Sequence, residues 1–301
     1  MDGLVKRKTF LEKFEREYRK TEKFYKHCGG DFVRKIERLL VSPKIYIPYV
    51  LASLHLLKNY KPATKLFWDK NIVFNLKDRG AALLHSNGLL LGEYCLTKFF
   101  IKNLKENDVF YDIGANHGFY TYLALEFCKE IHSFEPLPDL FEELRENLRE
   151  KSNIFLNDTA LSDINGETFL YLSISSGLST INKDVLNMMS YRNKINVKTL
   201  TLDEYLKDHS KPTVLKIDVE GAESMVIEGG KEFFKNNSPV ITAEIWLEGE
   251  HKKVSLRTLE ILESLGYQPY CINLDGEIEK IDRDFLRVAP AGEDNFIFLK
   301  K

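Results

Sequence analysis

The chain has 301 residues, 44% apolar and 29% charged, with a net charge of −2; this excludes a disordered, collagenous or disulfide-scaffold protein and leaves one or two globular domains. The charge is unevenly spread: residues 1–60 hold 14 Lys/Arg against 7 Asp/Glu, a balance of +7, and the remainder carries −9. Cys28, Cys95, Cys128 and Cys271 lie too far apart for a metal knuckle or a redox pair, so a reducing cytoplasm is the expected compartment.

Residues 4–40 read as helical, with Leu4, Phe10, Leu11, Phe14, Tyr18, Phe24 and Tyr25 near helical spacing and basic residues between them. Cys28-Gly-Gly-Asp31 interrupts the pattern, and Asp31 is placed to cap a second helix that ends at Ser42-Pro43. Ile45–Leu57 suits a third helix; with Pro48 and His55 inside it, it is too short to span a bilayer. Asn71–Leu76 and Ala81–Leu84 read as short strands, and Gly92-Glu93 opens a helix running to Leu104.

From Asp108 the pattern alternates. Strands are expected at 109–113, 130–134, 153–157, 213–218 and 239–246, with helices at 119–128, 138–149, 221–229 and 254–265 between or after them. A hairpin over Leu161–Leu172 turns at Asn165-Gly166, residues 173–194 are polar and irregular, and Ile195–Leu200 is strand-like. Tyr267–Asn273 and Asn295–Leu299 supply the last strands. This order predicts an α/β domain with a mostly parallel sheet, covering residues 91–301, behind a basic helical extension of residues 1–90.

Val109–Ile113 runs into the glycine-bounded turn Gly114-Ala-Asn-His-Gly118, and Glu135 closes the next strand. Such a turn lets a ligand approach the backbone, and a carboxylate at Glu135 can accept hydrogen bonds from a ribose diol. The middle glycine of the dinucleotide fingerprint is missing. Asp112, two residues before the turn, would repel a pyrophosphate but suits the ammonium end of a methionine group, which favours S-adenosylmethionine over NAD. His117, inside the turn, reads as shaping the pocket.

Thr213–Glu223 is the second dense motif. Lys216, Asp218 and Glu220 recur at period two on an otherwise apolar strand, so they share one face at its carboxyl edge. A Lys216 ion pair that satisfies itself is the plain structural alternative. Glu244 stands near the end of the next strand, and with Asp218 it forms a general-base pair or the oxygen ligands of a divalent metal; His251 in the following loop is a third base candidate.

These blocks together, DVFYDIGANHGFYT, SFEPLPDLFEELRENL, NDTALSDINGE, LTLDEYL, VLKIDVEGAESMVIEGG and VITAEIW, resemble the FkbM family of S-adenosylmethionine-dependent methyltransferases over roughly residues 93–300. The resemblance implies a class I Rossmann-like methyltransferase fold, a seven-stranded sheet with an antiparallel last strand, and O-methylation of a hydroxyl on a sugar, glycan or related metabolite. It places Asp112, Gly114, Asn116 and Gly118 at the methionine end of the cofactor, Glu135 on the ribose and Asp158 and Ala160 at the adenine edge. Asp218 would lie beneath the methyl group, Glu93 would touch the cofactor, and residues 173–194 would form a lid. Two other readings stay open: an RNA methyltransferase, suggested by the basic segment, and an inactive scaffold that keeps the fold. No DNA partner is expected. Basic residues interleaved with Phe and Tyr in residues 1–60 suit peripheral contact with a membrane or a lipid-linked acceptor.

Overall fold

In the computed structural model the residues described are 3–26, 39–40, 42–54, 56–57, 60–77, 79–173, 176–186, 191–246, 251–281 and 295–300. They fall into two compact units, Met1–Tyr94 and Cys95–Lys301.

The first unit begins with helix Gly3–Lys26. Its Phe10 and Phe14 are buried, and the Phe14 ring lies 5.1 Å from Phe67 while Phe10 stacks on Trp68. Phe10 and Phe14, two of the aromatics expected to meet a lipid surface, are therefore core residues of this unit. Cys28 and Asp31 lie outside the described residues. Helix Pro43–Ser53 carries Pro at its first turn. Strands β1 (Ala63–Lys65) and β2 (Asn71–Val73) form an antiparallel hairpin that the sequence reading missed in part, because β1 is only three residues long. Residues Ala81–Leu84, expected as a strand, belong to helix Arg79–Asn87 instead. Ala and Leu carry good helix propensity and no β-branched residue opposes it; Ala81, Ala82 and Leu84 fill one buried stripe.

In the second unit, helix Tyr94–Asn103 leads into β3 (Val109–Ile113), β4 (Glu130–Phe134) and β5 (Ile154–Asn157). β6 (Thr159–Leu161), β7 (Gly166–Ser173) and β8 (Tyr191–Leu200) follow, then β9 (Val214–Ile217), β10 (Val240–Glu244), β11 (Tyr267–Ile272), β12 (Ile278–Lys280) and β13 (Asn295–Lys300). The main sheet runs β12-β11-β13-β10-β9-β3-β4-β5. β5, β4, β3, β9 and β10 are mutually parallel, and β13 runs antiparallel between β10 and β11. The expected seven strands are present, and the short β12 extends the edge as an eighth. β3 and β9 are buried along their whole length, which is why both read as nearly continuous apolar runs.

A hairpin at Asn165-Gly166 does not form as expected. β6 and β7 both pair with β8, in parallel and antiparallel sense, to give a separate three-stranded sheet. Asn165 instead accepts a hydrogen bond from the Thr201 amide (2.7 Å). Between β7 and β8, residues 176–178 and 183–185 form two short 3-10 turns.

Candidate active site

The strand order reverses at β3, whose neighbours are β4 on one side and β9 on the other. In open α/β sheets the crevice at such a switch point, beyond the carboxyl ends of the strands, is where ligands bind. The turns after β3, β4 and β9 meet there.

Gly114 adopts φ +82°, and a Cβ at this position would sit 1.9 Å from the Asp218 carbonyl oxygen. Only glycine lets the two turns close on each other this tightly. Asn116 (φ 53°) and Gly118 (φ 80°) are also left-handed, and Gly118 starts helix Phe119–Ala124. Glu135 ties the turn down: its carboxylate accepts from the amides of Asn116 (2.7 Å) and Leu137 (2.9 Å). Asp112 is fully buried, accepts from the Thr121 hydroxyl (2.6 Å), and lies 3.6 Å from the Lys216 ammonium. Its Oδ1 is buried without a hydrogen bond, and Asp112 is not among the residues that line the cavity. Lys216 bridges further, to the Asp218 carboxylate (3.0 Å) and the Gly114 carbonyl (3.4 Å), so this buried charge is paired as burial requires. His117 is buried with Nδ1 3.2 Å from Glu143, away from the cavity lining.

The crevice holds about 640 Å³ of space between its walls, counting the solvent at its open mouth. One end is walled by Ile113, Gly114, Asn116, Phe134, Glu135, Pro136 and Leu137, and another by Thr159, Ala160 and Leu161. Gly177, Ser179, Thr180 and Ile181 supply a wall from the stretch expected as a lid, and Asp218, Val219 and Glu220 complete it. Its lining holds three carboxylates and no Lys, Arg or His. Asn116 Oδ1 is buried without a hydrogen-bond partner. Asp158 stands outside the lining, in an exposed ion pair with Lys198 (2.9 Å), while its neighbour Ala160 is in it. Glu93 belongs to the first unit.

Glu220 is the residue the sequence reading undervalued. Its φ of +56° takes it off the strand, so period two does not describe it, yet its carboxylate meets those of Asp218 and Glu244. One oxygen from each lies within 4.8 Å of the others. Burial, then the charges of Glu244, Asp218 and Glu223, hold the Glu220 carboxyl well above the usual carboxylate range. Glu223 braces this turn by accepting from the amides of Val219 (3.1 Å) and Gly221 (3.2 Å); burial pushes it up to about 7. His251 begins helix His251–Ser264, and its side chain lies outside the described residues.

Sheet order and the acidic crevice at the switch point define a class I Rossmann-like methyltransferase fold. The sequence pattern of the methyltransferase FkbM domain matches residues 112–269, just over half of the chain. The chain belongs to the FkbM methyltransferase family. It is 31% identical over 144 residues to the hexuronic acid methyltransferase AglP of Haloferax volcanii, covering 46% of this chain and 57% of that protein. It is 31% identical over 144 residues to the 2-O-methyltransferase NoeI of Sinorhizobium fredii, covering 42% of this chain and 59% of that protein. The chain thus spans less than two thirds of either relative. A crystal structure of methyltransferase FkbM from Methylobacillus flagellatus KT is 16% identical with a TM-score of 0.41, covering 72% of this chain and 52% of that one.

Proposed function

We propose that this protein transfers a methyl group from S-adenosylmethionine to a hydroxyl of a sugar or glycan. The observation that carries the cofactor assignment is the make-up of the lining: its ionisable side chains are the carboxyls of Glu135, Asp218 and Glu220, with no basic side chain among them. That lining favours a cationic nucleoside and opposes a pyrophosphate. Asn116 Oδ1, buried without a partner, suits an ammonium donor. Glu135, held by two backbone amides, lines the cavity and is the carboxylate suited to the ribose hydroxyls. Gly114 and Gly118 allow the close backbone approach, Ala160 offers an apolar edge for adenine, and Asp112 acts by fixing Lys216. When bound, the cofactor supplies an activated methyl on a sulfonium.

The chain's own task is to orient the acceptor hydroxyl in line with that methyl and take its proton. Asp218, Glu220 and Glu244 are the groups in reach of one another for it. His251 is kept as a fourth candidate. The names of the relatives support a sugar acceptor. Calorimetry with S-adenosylmethionine and NAD, followed by transfer of labelled methyl to a panel of free hexoses and hexuronic acids, tests both halves. Binding of NAD alone, or label reaching RNA but no sugar, would reverse the reading.

The three carboxylates also form an all-oxygen donor set suited to a hard divalent cation. EDTA treatment with Mg²⁺ or Mn²⁺ add-back separates the two roles. Loss and recovery of turnover would assign a metal; unchanged turnover would leave the cluster to proton transfer.

For the first unit, helix Pro43–Ser53 is apolar on every side yet buries only Ile45 and Ala52, leaving Ile47 46% exposed, with Leu54 62% and Leu56 66% exposed just beyond it. A helix of that kind within a segment of charge +7 suits the surface of an anionic membrane, which would bring the enzyme to a lipid-linked acceptor.

A further inference from the structure

The cavity wall supplied by Gly177, Ser179, Thr180 and Ile181 belongs to residues 176–186, a stretch built of two short 3-10 turns and one isolated bridge. At its outer end it is strapped to β7: Tyr171 and Thr180 exchange two backbone hydrogen bonds (2.8 and 3.2 Å). Near Gly177 it comes against the cofactor turn, where a Cβ would lie 3.1 Å from Asn116 Nδ2. At its inner end sits Asn182, a buried side chain with both of its polar atoms engaged. Asn182 Oδ1 accepts from the Asp184 amide (2.9 Å), capping the 3-10 turn, and Nδ2 donates to the carbonyl oxygen of Gly221. The Asn182 amide itself donates to the Thr180 hydroxyl (3.1 Å).

Gly221 belongs to the turn that presents Asp218 and Glu220. Its amide is held by Glu223 (3.2 Å) and its carbonyl by Asn182, so the peptide planes on both sides of it are fixed. The space around it is filled: at φ +89° a Cβ would lie 2.9 Å from Val185 Cγ1 and 3.2 Å from the Trp246 ring. Glu220, immediately before, is held at a φ of +56° that a glutamate adopts only when its surroundings impose it. The same side chain therefore closes the cavity wall and fixes the strained carboxylate turn.

We propose that Asn182 is a positioning residue whose donated hydrogen bond to Gly221 locks the 176–186 wall onto the Asp218–Glu220 turn, so that cofactor affinity depends on it although Asn182 does not line the cavity. The proposal rests on the cavity being the S-adenosylmethionine site. Nothing in the motif analysis selected Asn182, because its partner is 39 residues away in sequence and is a backbone atom.

Asn182→Asp isolates the effect. It keeps the size and the acceptor for the Asp184 amide, and replaces only the donor with an oxygen that repels the Gly221 carbonyl. Its added negative charge would by itself favour a sulfonium, so any weakening comes from the lost clamp. Calorimetry on the full-length protein should give S-adenosylmethionine a dissociation constant roughly tenfold or more above wild type, at a temperature where circular dichroism finds both proteins folded. Limited chymotrypsin digestion followed by mass spectrometry should cut the variant faster within 176–186. Wild-type affinity in a folded Asn182→Asp protein, even one with a lowered melting temperature, overturns the proposal by reducing Asn182 to a stability contact. A wild-type protein that binds no S-adenosylmethionine overturns the cofactor reading instead; the clamp is then decided by digestion, and equal cutting of both proteins rejects it.

Discussion

At the scale of single residues, charge and close approach decide most of what the site can do. Gly114 is a clear case, since any side chain there meets the Asp218 carbonyl and also takes an unfavourable φ. Gly114→Ala should destabilise the protein by about 2 kcal/mol or more and abolish S-adenosylmethionine binding, read by thermal melts and calorimetry. Lys216 is buried between Asp112 (3.6 Å) and Asp218 (3.0 Å). Lys216→Met would leave two carboxylates without their cation, and a loss of about 3–5 kcal/mol in denaturant melts is expected. A near-neutral result would mean that these carboxylates reach water. Glu135→Gln keeps an acceptor but replaces one charged hydrogen bond to the turn; a roughly tenfold weaker cofactor is expected, with a smaller effect on melting. Gly114, Glu135 and Asp218 were legible in sequence because each terminates a recognisable strand. Glu220 was legible as a member of the Lys216–Glu220 motif but not as a partner of Glu244, because its φ of +56° breaks the strand's periodicity.

Among the elements, the turns after β3 and β9 carry the site, and the turn after β9 is held by a titrating group. Burial pushes the Glu223 carboxyl up to about 7, against about 4.5 for an exposed glutamate. The folded state keeps the proton after the unfolded chain has released it, so this group's contribution to stability is fullest below about pH 4.5 and is lost as pH rises to about 7, on the order of 3 kcal/mol. Melting of the wild type across that window, compared with Glu223→Gln, checks the sign: the variant should lack this part of the decline. Strands long enough to show a buried apolar run were read to within one or two residues. The errors fell on short or context-dependent pieces. Ala81–Leu84 is apolar for either structure, and its neighbours chose a helix; β6 and β7 pair through β8 because sequence shows a turn signal at Asn165-Gly166 but not which strand returns to which.

For the whole molecule, the first unit raises a question of location that the catalytic unit does not answer. Among the described residues no helix is long and apolar enough to cross a membrane. If Leu54 and Leu56 meet lipid, the full-length protein should sediment with vesicles containing anionic lipid and a Leu54→Glu/Leu56→Glu protein should stay in the supernatant. Equal behaviour of the two would remove the membrane from the picture. What the sequence determined by itself is the order of strands, the turn chemistry at Gly114 and Gly118 and the family, because these depend on local periodicity and on residues whose backbone preferences are their own. Only the tertiary structure decided that Asp112 meets Thr121 and Lys216, that Glu220 joins Asp218 and Glu244, and that Gly177, Ser179, Thr180 and Ile181 line the cavity. Those placements arise from contacts between distant segments, and such contacts are set by packing and by the pairing of buried polar groups, which leave no periodic trace in the chain.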